Sequence, residues 1–163
     1  MFEWIEHMFN PFYFIYKLNF IEMSTRCNVA IKLRKEDLNK TLTFIENDKL
    51  HELHTDSGFS YMFIYIHHDG YLKGVGYGLL NELGTDYETV KNYIIQGDRT
   101  SFDKPYIEYD EDWDDDKPRF CKSIDGPIPN DYFYLLDDGK WFYRKFNGDG
   151  SLKELTQEAI DNN

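Results

Sequence analysis

Residues 61–80 read "YMFIYIHHDGYLKGVGYGLL". An aromatic, β-branched run ends in two histidines and an aspartate, breaks into alternating glycines, and resumes as an apolar segment. The first part, extended back to Gly58, is the strongest strand pattern in the chain. A period of two sets Phe59, Tyr61, Phe63, Tyr65 and His67 on one side and Met62, Ile64, Ile66 and His68 on the other. Both sides are apolar or aromatic, so the strand is expected to lie centrally, covered above and below. After the break, Val75, Leu79, Leu80 and Leu83 recur at helical spacing, and Gly84 is placed to stop that helix.

Outward from this unit, the rest of the chain alternates between short strands and short helices. Cys27, Val29, Ile31 and Leu33 alternate through 26–33, as in a half-buried strand. Residues 41–46, "TLTFIE", give a second strand candidate, while 51–56 read as a solvated loop. Thr85 and Glu88 form a capping-box pair opening a helix with Val90, Ile94 and Ile95 inward and Gly97 at its end. "DYFYLLDDGKWFYRKF" at 131–146 predicts a hairpin turning at Asp138-Gly139, a dipeptide that accepts positive φ. Ser151 and Glu154 would cap a terminal helix carrying Leu152, Leu155 and Ile160. The expected class is α+β, a mostly antiparallel sheet with two or three short helices.

Composition narrows the function. The 163 residues carry a net charge of −12 and include 13 Tyr and 13 Phe, a composition suited to pleated, half-buried surfaces. Such acidity argues against a basic track along nucleic acid. Cys27 and Cys121 make neither a CxxC pair nor a disulfide framework, in keeping with a reducing cytoplasm. The first 22 residues hold eight aromatics but are broken by Asn10, Pro11, Lys17 and Asn19, so they resemble neither a signal peptide nor a bilayer span. They are expected to be sequence upstream of a true start at Met23, or else an aromatic segment lying on a surface. Residues 23–163 then form one α+β domain, with a long proline-containing, acidic loop at about 98–130.

Two places carry candidate chemistry. At the HHDGY corner, Asp69-Gly70 makes a turn and Gly74, Gly76 and Gly78 surround a helix start, where unpaired N–H groups favour anions. Glycines permit close approach to that backbone, and His67, His68, Tyr71 and Lys73 offer hydrogen bonds. The candidate ligand-binding set is His67, His68, Asp69, Gly70, Tyr71, Lys73, Gly74 and Gly76. GVGYG is not the dinucleotide fingerprint, so an Asp-Gly turn with tight strand–helix packing explains it equally well. Residues 108–116, "EYDEDWDDD", hold seven carboxylates; without them the charge falls from −12 to −5. Such a run is a solvated loop or an acidic surface for a basic partner, with Tyr109, Asp112, Trp113 and Asp115 as contacts.

A metal would draw on His51, His54 and Asp56 with His67 and His68, but this is no known ligand spacing, and no metal or cofactor is assigned. Hydrolysis by His67 and Asp69 requires a nucleophile that no motif supplies.

"STRCNVAI" at 24–31 and "YIHHDGYLKGVGYGLLNEL" at 65–83 resemble small proteins of phages, prophages and other mobile elements, which begin with a STRxNI-like strand and carry HWDGYPxGVG before a helix. "QGDRTSF" at 96–102 and "LLDDGKWFY" at 135–143 extend the resemblance to about residues 24–146. His67, Asp69, Gly70, Tyr71, Gly74, Val75 and Gly76 match; His68 replaces a tryptophan and Leu72 a proline. The resemblance implies a cytoplasmic accessory protein but no activity. The expected function is non-enzymatic binding of a small anionic ligand, a nucleotide among the candidates, at the HHDGY corner, in a pocket where His67, Asp69, Tyr71 and the helix start converge with polar groups from 97–102. The alternatives are a module occupying a basic host protein through the acidic loop, and a hydrolase. Neither direct nucleic-acid binding nor membrane association is expected.

Overall fold

The computed structural model describes residues 24–46, 49–105, 117–125 and 130–163. Residues 1–22 and the proposed partner contacts Tyr109, Asp112, Trp113 and Asp115 lie outside them. In chain order the strands are β1 (Cys27–Lys32), β2 (Thr41–Glu46), β3 (Lys49–His54), β4 (Tyr61–Ile66), β5 (Arg99–Ser101), β6 (Lys104–Pro105), β7 (Arg119–Cys121), β8 (Tyr132–Asp137), β9 (Lys140–Lys145) and β10 (Lys153–Glu154). Eight of them form one sheet in the order β10-β9-β8-β1-β4-β5-β6, with β7 also paired to β4. The fold is α+β and the sheet is mixed, which matches the expected mostly antiparallel sheet only in part. β1–β4 is antiparallel, but β1–β8 and β4–β5 are parallel.

β1 is more buried than its alternation predicts. Cys27, Val29 and Ile31 are covered on one face, and Asn28 and Ala30 on the other are buried as well. The cause is position: β4 and β8 flank it on both sides, so a strand that reads as half-buried becomes central. β4 behaves as expected. Met62, Ile64 and Ile66 are fully buried with Val29, Ile31 and Tyr134, and Val75, Leu79, Val90 and Ile94 from the helices cover that face. Each such aliphatic side chain contributes about 1.5–3 kcal/mol by leaving water. On the opposite face Ala30, Phe63, Phe133 and Leu135 cluster, with the Arg119 guanidinium over Phe63 and that of Arg144 over Phe133.

Besides a 3-10 turn at Lys35–Asp37, three longer helices accompany the sheet among the described residues. Helix α1 covers 72–83 and is wound with wide π-type bonding at Leu72–Gly76 and Leu79–Leu83. Gly84 ends it at φ 77°, and its carbonyl accepts from Trp141 Nε1 at 2.8 Å. Helix α2 (Tyr87–Ile95) is capped by Asp86 rather than Thr85. The Asp86 carboxylate accepts from Thr89 N at 2.9 Å and Thr89 Oγ1 at 2.7 Å, the N-cap to N3 geometry that the capping box had placed one residue early. Helix α3 (Gln157–Asp161) opens at Thr156, whose hydroxyl accepts from Ala159 N. Ser151 does not open it, because Lys153 and Glu154 are drawn onto β9 and Leu155 N donates to Trp141 O. No helix among the described residues is long and apolar enough to cross a membrane.

Two further segments correct or complete the pattern. Residues 51–56 are not a solvated loop: 49–54 pair with β2 in a separate two-stranded sheet, where Phe44 stacks on His51 and His54 Nδ1 meets Thr41 Oγ1 at 2.8 Å. Alternation was hidden there because histidines and a glutamate occupy the strand. The 131–146 hairpin forms as expected, with Asp138 at φ 49° and Gly139 at φ 73°.

Candidate functional site

β4 does not stop pairing at Ile66. The N–H groups of His67 and His68 donate to Arg99 O and Thr100 O at 3.1 and 2.8 Å, continuing the parallel register with β5. The carboxyl ends of two adjacent parallel strands therefore face the start of α1, the crevice where open sheets commonly hold ligands.

The turn that follows is built differently from its sequence signature. Asp69, not Gly70, takes the left-handed conformation, at φ 59°. Gly70 is needed for proximity: a Cβ there would lie 2.7 Å from Arg26 C and 2.8 Å from Thr25 O. Its N–H donates to Thr25 O and its carbonyl accepts from the buried Tyr134 hydroxyl, both at 2.8 Å. At Gly74 a Cβ would collide with the Asp69 carbonyl oxygen, which itself accepts from Val75 N at 2.8 Å. Gly78 faces the Phe102 ring, 2.7 Å from where a Cβ would stand. The expectation that glycines open backbone to a ligand is thus corrected. The protein's own chain makes the close approaches, and the N–H groups of Gly74, Val75 and Gly76 are bonded within the turn.

A cleft of about 360 Å³ lies beside this corner, within the roughly 300–1,000 Å³ of small-ligand sites. His68, Asp69 and Tyr71 reach it from the turn, Thr100, Ser101 and Lys104 from β5 and β6, and Ser24 and Thr25 from the approach to β1. Of the expected ligand set, the structure brings His68, Asp69 and Tyr71 together there. His67, Gly70, Lys73, Gly74 and Gly76 do not line it. Gly70 and Gly76 are buried and Lys73 is exposed on α1.

His67 stands behind the cleft. Its Nδ1 meets the Tyr65 hydroxyl at 2.9 Å, and its ring lies edge-on to His68 at 4.4 Å. Burial, reinforced by His68 and Arg26, lowers its pKa from the ordinary value. Tyr71 shifts the other way: the Asp69 charge, then partial burial and a hydrogen bond from the phenol to Asp69, raise its pKa. Asp69 therefore faces Tyr71, while His67 is engaged with Tyr65. Among the described residues no three of His, Cys, Asp or Glu gather as a metal site.

Of the polar groups at 97–102 expected to converge on this corner, Thr100 and Ser101 line the cleft, while Asp98 and Arg99 are buried behind it as structural groups. Asp98 is 6% exposed and sits where β4 changes partners, between β7 at Tyr61–Phe63 and β5 at Ile66. Its carboxylate accepts from Tyr65 N at 2.7 Å and from Arg119 Nη2 at 2.7 and 2.9 Å. The buried Arg99 lies 4.4 Å from the Tyr93 ring centroid, and its Nε donates to Phe102 O, which also accepts from the Tyr93 hydroxyl. Within 96–102 the sequence marks Asp98 and Arg99 only by their place directly after the helix-ending Gly97, which does not reveal that Asp98 bridges two partners of β4.

A cleft of about 520 Å³ at the carboxyl ends of β1 and β8 is less suited to a ligand. Its Lys32 is paired with Asp137 at 2.9 Å, and its Arg34 guanidinium lies 3.9 Å from the Tyr87 ring centroid. Compared with protein-family models, curated proteins and solved structures, the chain gives no match.

Proposed function

We propose that the cleft beside the HHDGY corner binds a small anionic ligand of the mononucleotide class, and that the protein acts by binding rather than by catalysis, as a cytoplasmic accessory protein of a phage or mobile element. One observation carries this reading: His68, Asp69 and Tyr71 converge with Thr100, Ser101 and Lys104 at the carboxyl ends of two adjacent parallel strands. Five hydroxyls, an imidazole and a carboxylate suit the sugar and base edges of a nucleotide, while the Lys104 ammonium suits its phosphate. Tyr71, 40% exposed, offers an aromatic face for stacking. The hydrolase alternative is weaker, because Tyr65 engages His67 and Asp69 faces Tyr71.

Calorimetric titration with the four ribonucleoside monophosphates and with inorganic phosphate tests this. At least one nucleotide is expected to bind the wild type, with an affinity at least tenfold lower in Tyr71→Ala and in Lys104→Ala. Both side chains are exposed, so the fold should survive either change. Silence across the panel, or equal binding by both variants, would overturn the proposal.

A further inference from the structure

The 360 Å³ cleft is not closed at its β1 side. Ser24, Thr25 and Tyr71 also line a neighbouring depression of about 680 Å³, so the two are lobes of one groove that crosses the amino end of β1. The second lobe is bounded by Arg26 and by Lys145 and Phe146 at the end of β9. Four large hydrophobic side chains stand exposed among the described residues: Leu50, Tyr71, Tyr77 and Phe146. Two of them, Tyr71 at the waist and Phe146 in the second lobe, are on this groove. Its charges run against those of the whole chain. Arg26, Lys104 and Lys145 outnumber the carboxylates Asp69 and Asp131, on a protein of net charge −12. Asp131 is moreover engaged, accepting the Arg26 backbone N–H at 2.9 Å.

Cations spaced along a groove between separated aromatic faces match a ligand with two rings joined through phosphate, since stacking tolerates any base and the phosphate seeks the positive groups. We propose that the groove takes a dinucleotide, with one base against Tyr71 in the first lobe, the other against Phe146 in the second, and the linking phosphate between Arg26 and the lysines. This rests on the nucleotide reading of the first lobe and extends it: a mononucleotide fills only half of the site.

The test is calorimetric titration of the full chain with ribonucleoside monophosphates, the corresponding 5′-phosphorylated dinucleotides, and a pentanucleotide. The best dinucleotide is expected to bind at least tenfold more tightly than the best mononucleotide. Phe146→Ala should erase that gain while leaving mononucleotide affinity unchanged. Phe146 is 60% exposed and its backbone N–H, which donates to Asp131 O, is untouched by the substitution. Mononucleotide binding without a dinucleotide gain overturns the two-lobe proposal alone, as does a Phe146→Ala variant that weakens both ligands equally or neither. Binding by none of them overturns the nucleotide reading, and the extension with it. Further tightening with the pentanucleotide would mark a track for single strands and refute a small-molecule occupant.

Discussion

Asp98→Ala probes the joint on which the cleft depends. The carboxylate fills the gap where β4 exchanges β7 for β5, accepting the Tyr65 N–H and holding Arg119. Alanine removes both at a position only 6% exposed. A buried amide left without an acceptor costs about 1–3 kcal/mol. Breaking a fully buried ion pair from one side costs about 3–5 kcal/mol, but the Arg119 side chain is 37% exposed, and solvent screening reduces that loss to about 1 kcal/mol. Together they predict a destabilisation of about 3 kcal/mol. For a chain of this size that corresponds to a fall in Tm of about 6–12 °C. Asp98→Asn retains an acceptor for Tyr65 N and loses only the charge, so about 1 kcal/mol is expected. Urea denaturation followed by circular dichroism reads both values. An alanine variant within about 0.5 kcal/mol of wild type, or an asparagine variant as damaging as alanine, would refute the role given to this carboxylate.

Two further outcomes follow from the same corner. Gly74→Ala should destabilise by about 3 kcal/mol, the upper end of overpacking penalties, because its Cβ meets the Asp69 backbone carbonyl rather than a side chain that can swing away. Gly139→Ala, in open space at φ 73°, should cost only about 1 kcal/mol; thermal melts that reverse this order would contradict the packing described. His67 should titrate below its ordinary 6.5 when followed by proton NMR, because burial first, then His68 and Arg26, disfavour the imidazolium. As pH falls through 6.5 the unfolded chain takes this proton before the folded one, so the stability tied to neutral His67 is present above 6.5 and is lost on acidification toward the folded pKa. Arg26→Ala should raise the folded value; a wild-type pKa at or above 6.5 would refute the cause assigned.

Legibility followed the range of the interactions involved. β4, α2, the β8–β9 hairpin and the apolar face of α1 were readable because period, cap and turn chemistry are local. The caps of α2 and α3 were misplaced by one and by five residues, since Ser, Thr and Asp compete for each N-cap and tertiary pairing decides among them. The pairing of Lys153 and Glu154 with β9 settled α3 in favour of Thr156. β3 was missed because His51, Glu52 and His54 conceal its alternation. Neither parallel pairing was legible: β1 meets β8 across more than 100 residues and β4 meets β5 across a helical excursion, and no local signal encodes either register.

The candidate site inherits that division. Three residues of the HHDGY motif line a cleft, but the sequence reading also named the glycines as binding elements, and a glycine pattern records only that a Cβ is excluded. Whether a ligand or the protein itself occupies the vacated volume is decided by what folds against it. Here Thr25 and Arg26 occupy it at Gly70, Asp69 at Gly74 and Phe102 at Gly78. The glycines therefore seat the turn against β1 and β5, and in the proposed site discrimination among ligands would fall to side chains. Those side chains come from three separated stretches, Ser24 and Thr25, His68 to Tyr71, and Thr100 to Lys104, which only the β1–β4–β5 register brings to one cleft. Substitutions at the glycines should accordingly act through stability, whereas substitutions at Tyr71 and Lys104 should act on affinity with the fold intact.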